Sequence, residues 1–230
     1  MAKPLIIAHR GASAEAPENT VSAFRRALAL KVDGIELDVQ VSRDGVPIVF
    51  HDATLQRLTG VRGQVRRKTW RELRALRVLG TERIPRLVEV LRLTRDRATV
   101  QIELKAGTPV APVVRAIHAA RAGESVILAS FVPGLIGAAR RFAPTVPRIL
   151  ITTGRQTPAA LARALASAGA GGLSVDYRAV RGARWIRHFH ARGWTVWAWT
   201  VNDVRAARRL AGWGIDALLG DNPALLKRLF

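Results

Sequence analysis

Short β-rich runs alternate with longer segments of helical spacing along almost the whole chain, and this alternation constrains the fold more than any other feature. The β-rich runs cover residues 5–9, 34–41, 47–51, 99–105, 125–130, 146–151, 171–175, 194–200 and 215–218. Helical spacing covers 20–30, 110–121, 133–141, 158–168, 183–192 and 203–211. Pro109, Pro133 and Pro158 stand near helix starts, where the missing N–H costs nothing. Gly123, Gly169, Gly193 and Gly214 follow helix ends. Strand–helix alternation is the pattern of parallel βα units, because parallel neighbours need a crossover between them. If 47–51 pairs with the second strand, eight units remain in 230 residues. That predicts an α/β fold, a (β/α)8 TIM-type barrel, as one domain over 1–230. A small insertion follows strand 2, an irregular stretch over 54–87 with one short helix at 69–76, expected over the top of the barrel. A doubly wound open sheet is the alternative, since strand number alone does not establish closure.

Composition narrows the chemistry. There is no cysteine, hence no disulfide, thiolate metal site or cysteine nucleophile. No run approaches the ~18 apolar residues of a membrane span, and the apolar run at 5–8 is short for a secretory leader. A soluble cytoplasmic protein without an obligate protein partner is expected. The 37 Lys+Arg against 17 Asp+Glu leave +20, and residues 61–100 hold twelve cations to four anions. Such a charge attracts anions. The arginines are scattered through helical segments without interleaved aromatics, so nucleic acid is not the expected partner.

Ionisable residues occur where buried strands should be apolar. In Gly34-Ile35-Glu36-Leu37-Asp38-Val39 the two carboxylates stand at i and i+2, on one side of a strand. Ile102-Glu103-Leu104-Lys105 repeats the pattern. Carboxylates converging from adjacent strands are costly unless a cation binds between them, and three of them suit one hard divalent cation, Mg²⁺ or Ca²⁺, with Mn²⁺ also compatible. The alternative is a buried ion pair of Glu103 with Arg10 or Lys105. His9 and Arg10 end the first β-run and His51 ends the run 47–51, so both histidines are expected at the active end of a barrel as proton carriers. Arg10 and Lys105 suit a phosphate. His118, His188 and His190 fall in helical segments and are read as surface or packing residues. Trp197 and Trp199 share a strand face; Trp199, near the strand end, and Phe131 are candidates to border a substrate. No G-x-S-x-G elbow, P-loop, H-E-x-x-H or G-x-G-x-x-G occurs.

These residues fall in a familiar order. His9-Arg10-Gly11-Ala12, Pro17-Glu18-Asn19-Thr20, Glu36-Leu37-Asp38-Val39-Gln40, Asp44-Gly45 and His51-Asp52-Ala53-Thr54-Leu55 come first. Ile84-Pro85, Glu103-Leu104-Lys105, Ser130-Phe131, Trp199-Thr200-Val201-Asn202 and Asp221-Asn222-Pro223 follow. In these motifs the chain resembles the small bacterial glycerophosphodiester phosphodiesterases. The resemblance implies a TIM-type barrel and metal-dependent hydrolysis of a small glycerophosphodiester to glycerol 3-phosphate and an alcohol. It implies Glu36, Asp38 and Glu103 as metal ligands, His9 and His51 as acid and base, and Arg10 and Lys105 as phosphate ligands. Two departures stand out: Arg86-Leu87-Val88-Glu89 where the family often has Thr-Leu-Glu-Glu, and Gly220 where threonine commonly precedes D-N-P. Arg86 is expected at the pocket rim. A lyase releasing a cyclic phosphate, a basic nucleic-acid-binding protein and a non-catalytic sensor are the competing readings.

Overall fold

Eight parallel strands hydrogen-bond into a closed ring in the computed structural model, which describes residues 3–230. They are β1 (Leu5–His9), β2 (Gly34–Val41), β3 (Thr99–Leu104), β4 (Val126–Ser130), β5 (Arg148–Thr152), β6 (Gly172–Asp176), β7 (Thr195–Trp199) and β8 (Ala217–Gly220). β8 pairs with β1 from Leu5↔Ala217 to Ala8↔Gly220, and β1 pairs with β2 from Ile7↔Gly34 to His9↔Glu36. The sheet therefore has no open edge between these strands, and the doubly wound alternative is excluded.

Helices α1 (Val21–Ala29), α2 (Leu87–Thr94), α3 (Val110–Ala120), α4 (Pro133–Phe142), α5 (Pro158–Ala168), α6 (Ala183–His190), α7 (Val204–Gly212) and α8 (Pro223–Leu229) return the chain outside the barrel. Their starts are chemically marked. Thr20, Thr157, Asp203 and Asn222 accept from backbone N–H groups of the first turn, and Pro133, Pro158 and Pro223 open their helices.

Strand alternation divides the core in two. Ile35, Leu37, Val100, Ile102 and Leu104 point outward and pack against Phe24, Val90 and Ile117. Leu173, Val175 and Val196 do the same against Leu165, Phe189 and Leu210. Each such side chain contributes roughly 1.5–3 kcal/mol by leaving water. Ile7, Ala129, Ile149, Ile151, Trp197, Ala217 and Leu219 point inward and plug the lumen. Above this apolar plug, toward the strand C-termini, the inward positions turn polar.

The segment between β2 and α2 departs in detail from expectation. Its strand Pro47–Val49 runs antiparallel to β2, pairing Val39 with Val49, and ends two residues before His51. The insertion carries two short helices (Gln56–Thr59 and Trp70–Leu73), a 3-10 turn (Val65–Arg67) and a two-stranded hairpin of Arg77–Val78 with Glu82–Arg83. The expected helix at 69–76 is thus a single turn, held by a capping box between Thr69 and Glu72. Ile48, Phe50, Leu55, Leu58, Val65, Leu73, Val78 and Ile84 give this segment its own small core. Helices α2 and α8 were not expected from the sequence. Among the described residues no helix is long and apolar enough to cross a membrane.

Candidate functional site

The polar end of the lumen opens into a cavity of about 120 Å³, lined among others by His9, Arg10, Glu36, His51, Glu103 and Lys105. The local turn that starts it is built by Arg10 and Gly11. Arg10 has φ +57° and Gly11 φ +83°. A Cβ on Gly11 would stand 2.7 Å from Ala23 Cβ and 2.8 Å from its carbonyl carbon, so only glycine fits against α1. The turn aims the Arg10 backbone N–H at Glu36 Oε2, 3.0 Å away.

Parallel register brings the three carboxylates together. Asp38 lies opposite Glu103 in the ladder, and Glu36 opposite Gln101. One oxygen each from Glu36, Asp38 and Glu103 lies within 4.8 Å of the others. Lys105 Nζ is 2.6 Å from Asp38 Oδ1 and donates to Glu103 Oε1 at 2.5 Å. Arg10 Nε is 3.2 Å from Asp38 Oδ2, and its Nη1 donates to Glu18 at 2.9 Å. The Glu103–Lys105 ion pair expected as the alternative to a metal is therefore present, while Arg10 pairs with Asp38 and Glu18. Asn19, at φ +59°, donates to Asp38 Oδ2 at 2.7 Å and accepts from the Asp38 N–H.

Electrostatics separate the three acids. Burial opposes ionisation of Asp38, but the charges of Lys105 and Arg10 prevail and hold it below the ordinary carboxylate range. Burial and the Asp38 charge push Glu36 up to about 8 and also raise Glu103. Three carboxylates thus face two cations, and Glu36 bears the imbalance. The donor set is entirely oxygen, and Asp38 Oδ1 has no aligned hydrogen-bond partner despite its charge contact with Lys105. Both features fit a hard divalent cation, which this trio can hold.

Each histidine is oriented by an aspartate. His9 Nδ1 donates to Asp221 Oδ1 at 2.7 Å, while its Nε2 is 3.9 Å from Glu36. Burial disfavours protonated His9, but the Asp221 hydrogen bond and the Glu36 charge outweigh it and raise its pKa. Asp221 is fixed in turn by Ser13 and Asn202; burial works against its ionisation, yet the bond from His9 holds it at about 2. His51 Nδ1 donates to Asp52 at 2.7 Å. Arg57 grips Asp52 through Nε at 2.6 Å and Glu18 through both terminal nitrogens, which keeps Asp52 at about 2. Gln40 Nε2 donates to the carbonyls of Phe50 and His51, fixing the His51 backbone to β2.

Phe131 and Trp199 meet edge to face at 5.6 Å on the cavity wall. Gln101 and Ser174, 2% and 0% exposed, also line the cavity. Gln101 Oε1, Ser174 Oγ and Trp199 Nε1 are buried without a protein partner. All nine residues singled out from the sequence therefore meet around this site, Asp38 beneath its lining. Of the other histidines, His118 is exposed and His190 pairs with Asp216 at 2.7 Å; none lines the cavity. Arg86 does not reach the rim. It pairs with Glu89 at 2.7 Å and covers the Trp70 ring at 5.7 Å in a separate groove. Sequence reasoning gave no role to Asn19, Asp52, Asp221, Gln101 or Ser174. The first three stood inside recognised motifs. The last two are polar residues at inward strand positions, the same signal that revealed Glu36 and Glu103.

A sequence model of the "Glycerophosphoryl diester phosphodiesterase family" matches residues 9–225. A glycerophosphodiester phosphodiesterase of Caldanaerobacter subterraneus subsp. tengcongensis is 33% identical, covering 99% of this chain and 98% of its own. The crystal structure of a glycerophosphoryl diester phosphodiesterase, so named provisionally, from Silicibacter pomeroyi superposes with TM-score 0.88 at 29% identity, over 98% of this chain and 92% of the other. A phosphodiesterase of Oleispira antarctica, solved in complex with the product sn-glycerol-3-phosphate, gives TM-score 0.88 at 25% identity, over 98% and 96% of the two chains.

Proposed function

Because the chain belongs to the glycerophosphoryl diester phosphodiesterase family, we propose that it cleaves a small glycerophosphodiester to glycerol 3-phosphate and an alcohol with one divalent cation and two proton-carrying histidines. The observation that carries this reading is that His9 and His51, on separate elements, line one cavity with Glu36 and Glu103, and each has its Nδ1 tied to an aspartate. That arrangement leaves each Nε2 to exchange a proton with substrate. Glu36, Asp38 and Glu103 would hold the cation, Mg²⁺, Ca²⁺ or Mn²⁺, which supplies charge neutralisation at a phosphoryl oxygen when bound. Arg10 and Lys105 exchange part of their carboxylate pairing for the incoming phosphate and offset charge that builds in the transition state.

One histidine takes the proton of the nucleophile and the other gives a proton to the departing alcohol. The nucleophile is water or the glycerol 2-hydroxyl. Trp199 and Phe131 cover the carbon skeleton of the glycerol, and Gln101 and Ser174 offer acceptor and donor groups to its hydroxyls.

The test is release of glycerol 3-phosphate from glycerophosphocholine and glycerophosphoethanolamine with Mg²⁺, Ca²⁺, Mn²⁺ or EDTA, beside Glu36→Ala. Release that needs a metal and disappears in the variant supports the reading. Its absence with every metal and both esters rejects it. A stable cyclic phosphate seen by ³¹P NMR identifies a lyase instead.

A further inference from the structure

The insertion concentrates positive charge with little to balance it. Between residues 55 and 86 it holds ten cations and only Glu72 and Glu82 as anions. Arg57, Lys68 and Arg86 meet carboxylates. Arg74, Arg77 and Arg83 meet none among the described residues, and all three line a groove of about 770 Å³. Arg77 and Arg83 stand directly opposite each other in the hairpin ladder. Opposed residues of an antiparallel pair project from the same face, and like charges there oppose the pairing. Among the described residues no carboxylate pairs with either arginine, although Glu82 and the Arg86-bound Glu89 line the same groove.

Its turn is equally unusual. Leu79, between the two arginine-bearing strands, has φ +46° and is 59% exposed. An aliphatic residue is thus held in a left-handed conformation that glycine would adopt freely, and held in water. Val61, in the loop after the helix Gln56–Thr59 that adjoins this hairpin, is 40% exposed. The Leu79 N–H donates to Leu58 O, which fixes the tip to that helix.

We propose that this hairpin docks the protein on an anionic phospholipid surface, with Arg74, Arg77 and Arg83 on the headgroup phosphates and Leu79 in the interfacial layer. Phosphates between Arg77 and Arg83 relieve their repulsion, and an apolar tip flanked by cations is suited to a surface with anionic headgroups above acyl chains. Nucleic acid fits less well. The groove's one aromatic ring, Trp70, is covered by Arg86 and so not free to stack on a base, and a phosphate backbone offers an exposed leucine no apolar partner. The inference does not depend on the catalytic assignments.

The experiment is co-sedimentation of the full chain with phosphatidylcholine vesicles, alone or mixed equally with phosphatidylglycerol, at low and high salt. Binding is expected only to the mixed vesicles and is expected to weaken with salt. Arg77→Ser with Arg83→Ser should lower the partition about thirtyfold, each arginine near the surface accounting for about fivefold. Leu79→Ser should lower it further at fixed charge. Arg187→Ser with Arg205→Ser, an equal charge change on exposed helix positions, should have little effect. Far-ultraviolet circular dichroism and hydrolysis of a soluble ester check that each variant is folded. Equal loss in the two double variants, equal binding to neutral vesicles, or retention by single-stranded DNA but not by vesicles would overturn the proposal.

Discussion

At the scale of single residues, His9 and His51 are held by aspartates, Asp221 and Asp52, that do not themselves line the cavity. Asp221 holds His9 in one tautomer through a 2.7 Å bond. Asp221→Asn keeps the shape but can present its amide to Nδ1, reversing the tautomer. It should cost on the order of 10²–10⁴ in kcat with little change in KM; a loss below tenfold would remove Asp221 from the mechanism. Gln101→Leu tests the cavity floor differently. It should raise KM for glycerol esters while leaving the rate on a phosphodiester without hydroxyls nearly unchanged, and a parallel loss on both would argue against hydroxyl recognition. Gly220 is a residue whose reason is steric. A Cβ there would lie 2.6 Å from Val201 O and 2.8 Å from Leu226 Cδ1, so Gly220→Thr, although it restores the residue common in the family, should destabilise by about 1–3 kcal/mol, visible as a lower melting temperature.

At the scale of elements, the insertion is fastened to the barrel rim by charge. Arg57 bridges Asp52 and Glu18, and Glu18 also meets Arg10. Asp52 sits at about 2 against an ordinary 3.8. Its pKa is depressed on folding, so its contribution is complete above about pH 4 and disappears as pH falls toward 2. Arg57→Ala should return the Asp52 carboxyl toward its ordinary value in a carbon-13 NMR titration; an unchanged value would show that His51 alone holds it. The same elements explain what was legible in the sequence. β2 and β3 were readable because Glu36, Asp38 and Glu103 interrupt apolar strands at period two. α2 was not, because Leu87-Val88-Glu89-Val90-Leu91 is as compatible with a strand as with a helix. α8 carried an Asn222 cap and Pro223 at its first turn, but its seven residues make fewer than two turns, too short for a helical period to show. The hairpin of the insertion has two residues per strand, too few for any period, and its pairing is fixed by packing on Leu58 and Leu73.

At the scale of the whole molecule, closing the barrel forces three carboxylates into one low-dielectric end, and the cost falls on Glu36. Its pKa, near 8 in the folded chain against 4.5 unfolded, makes the metal-free fold lose stability as pH rises through that interval, because the folded state holds the proton longer than the unfolded one. A divalent cation reverses this, since ligands bind metals deprotonated and the cation offsets the Asp38 and Glu103 charges. Two linked outcomes are expected. Saturating Mg²⁺, Ca²⁺ or Mn²⁺ should raise the melting temperature, by about 2.7 kcal/mol of stability at a hundredfold excess over Kd, and EDTA should abolish the gain. Calorimetric titration near neutral pH, in buffers of different ionisation enthalpy, should report release of about one proton per metal bound. Glu36→Gln should remove the proton release, weaken the metal and flatten the metal-free pH dependence between 4.5 and 8. Metal binding that releases no proton in the unaltered chain would mean that Glu36 is already ionised before the metal arrives, and would overturn the linkage between pH and metal binding argued from its raised pKa.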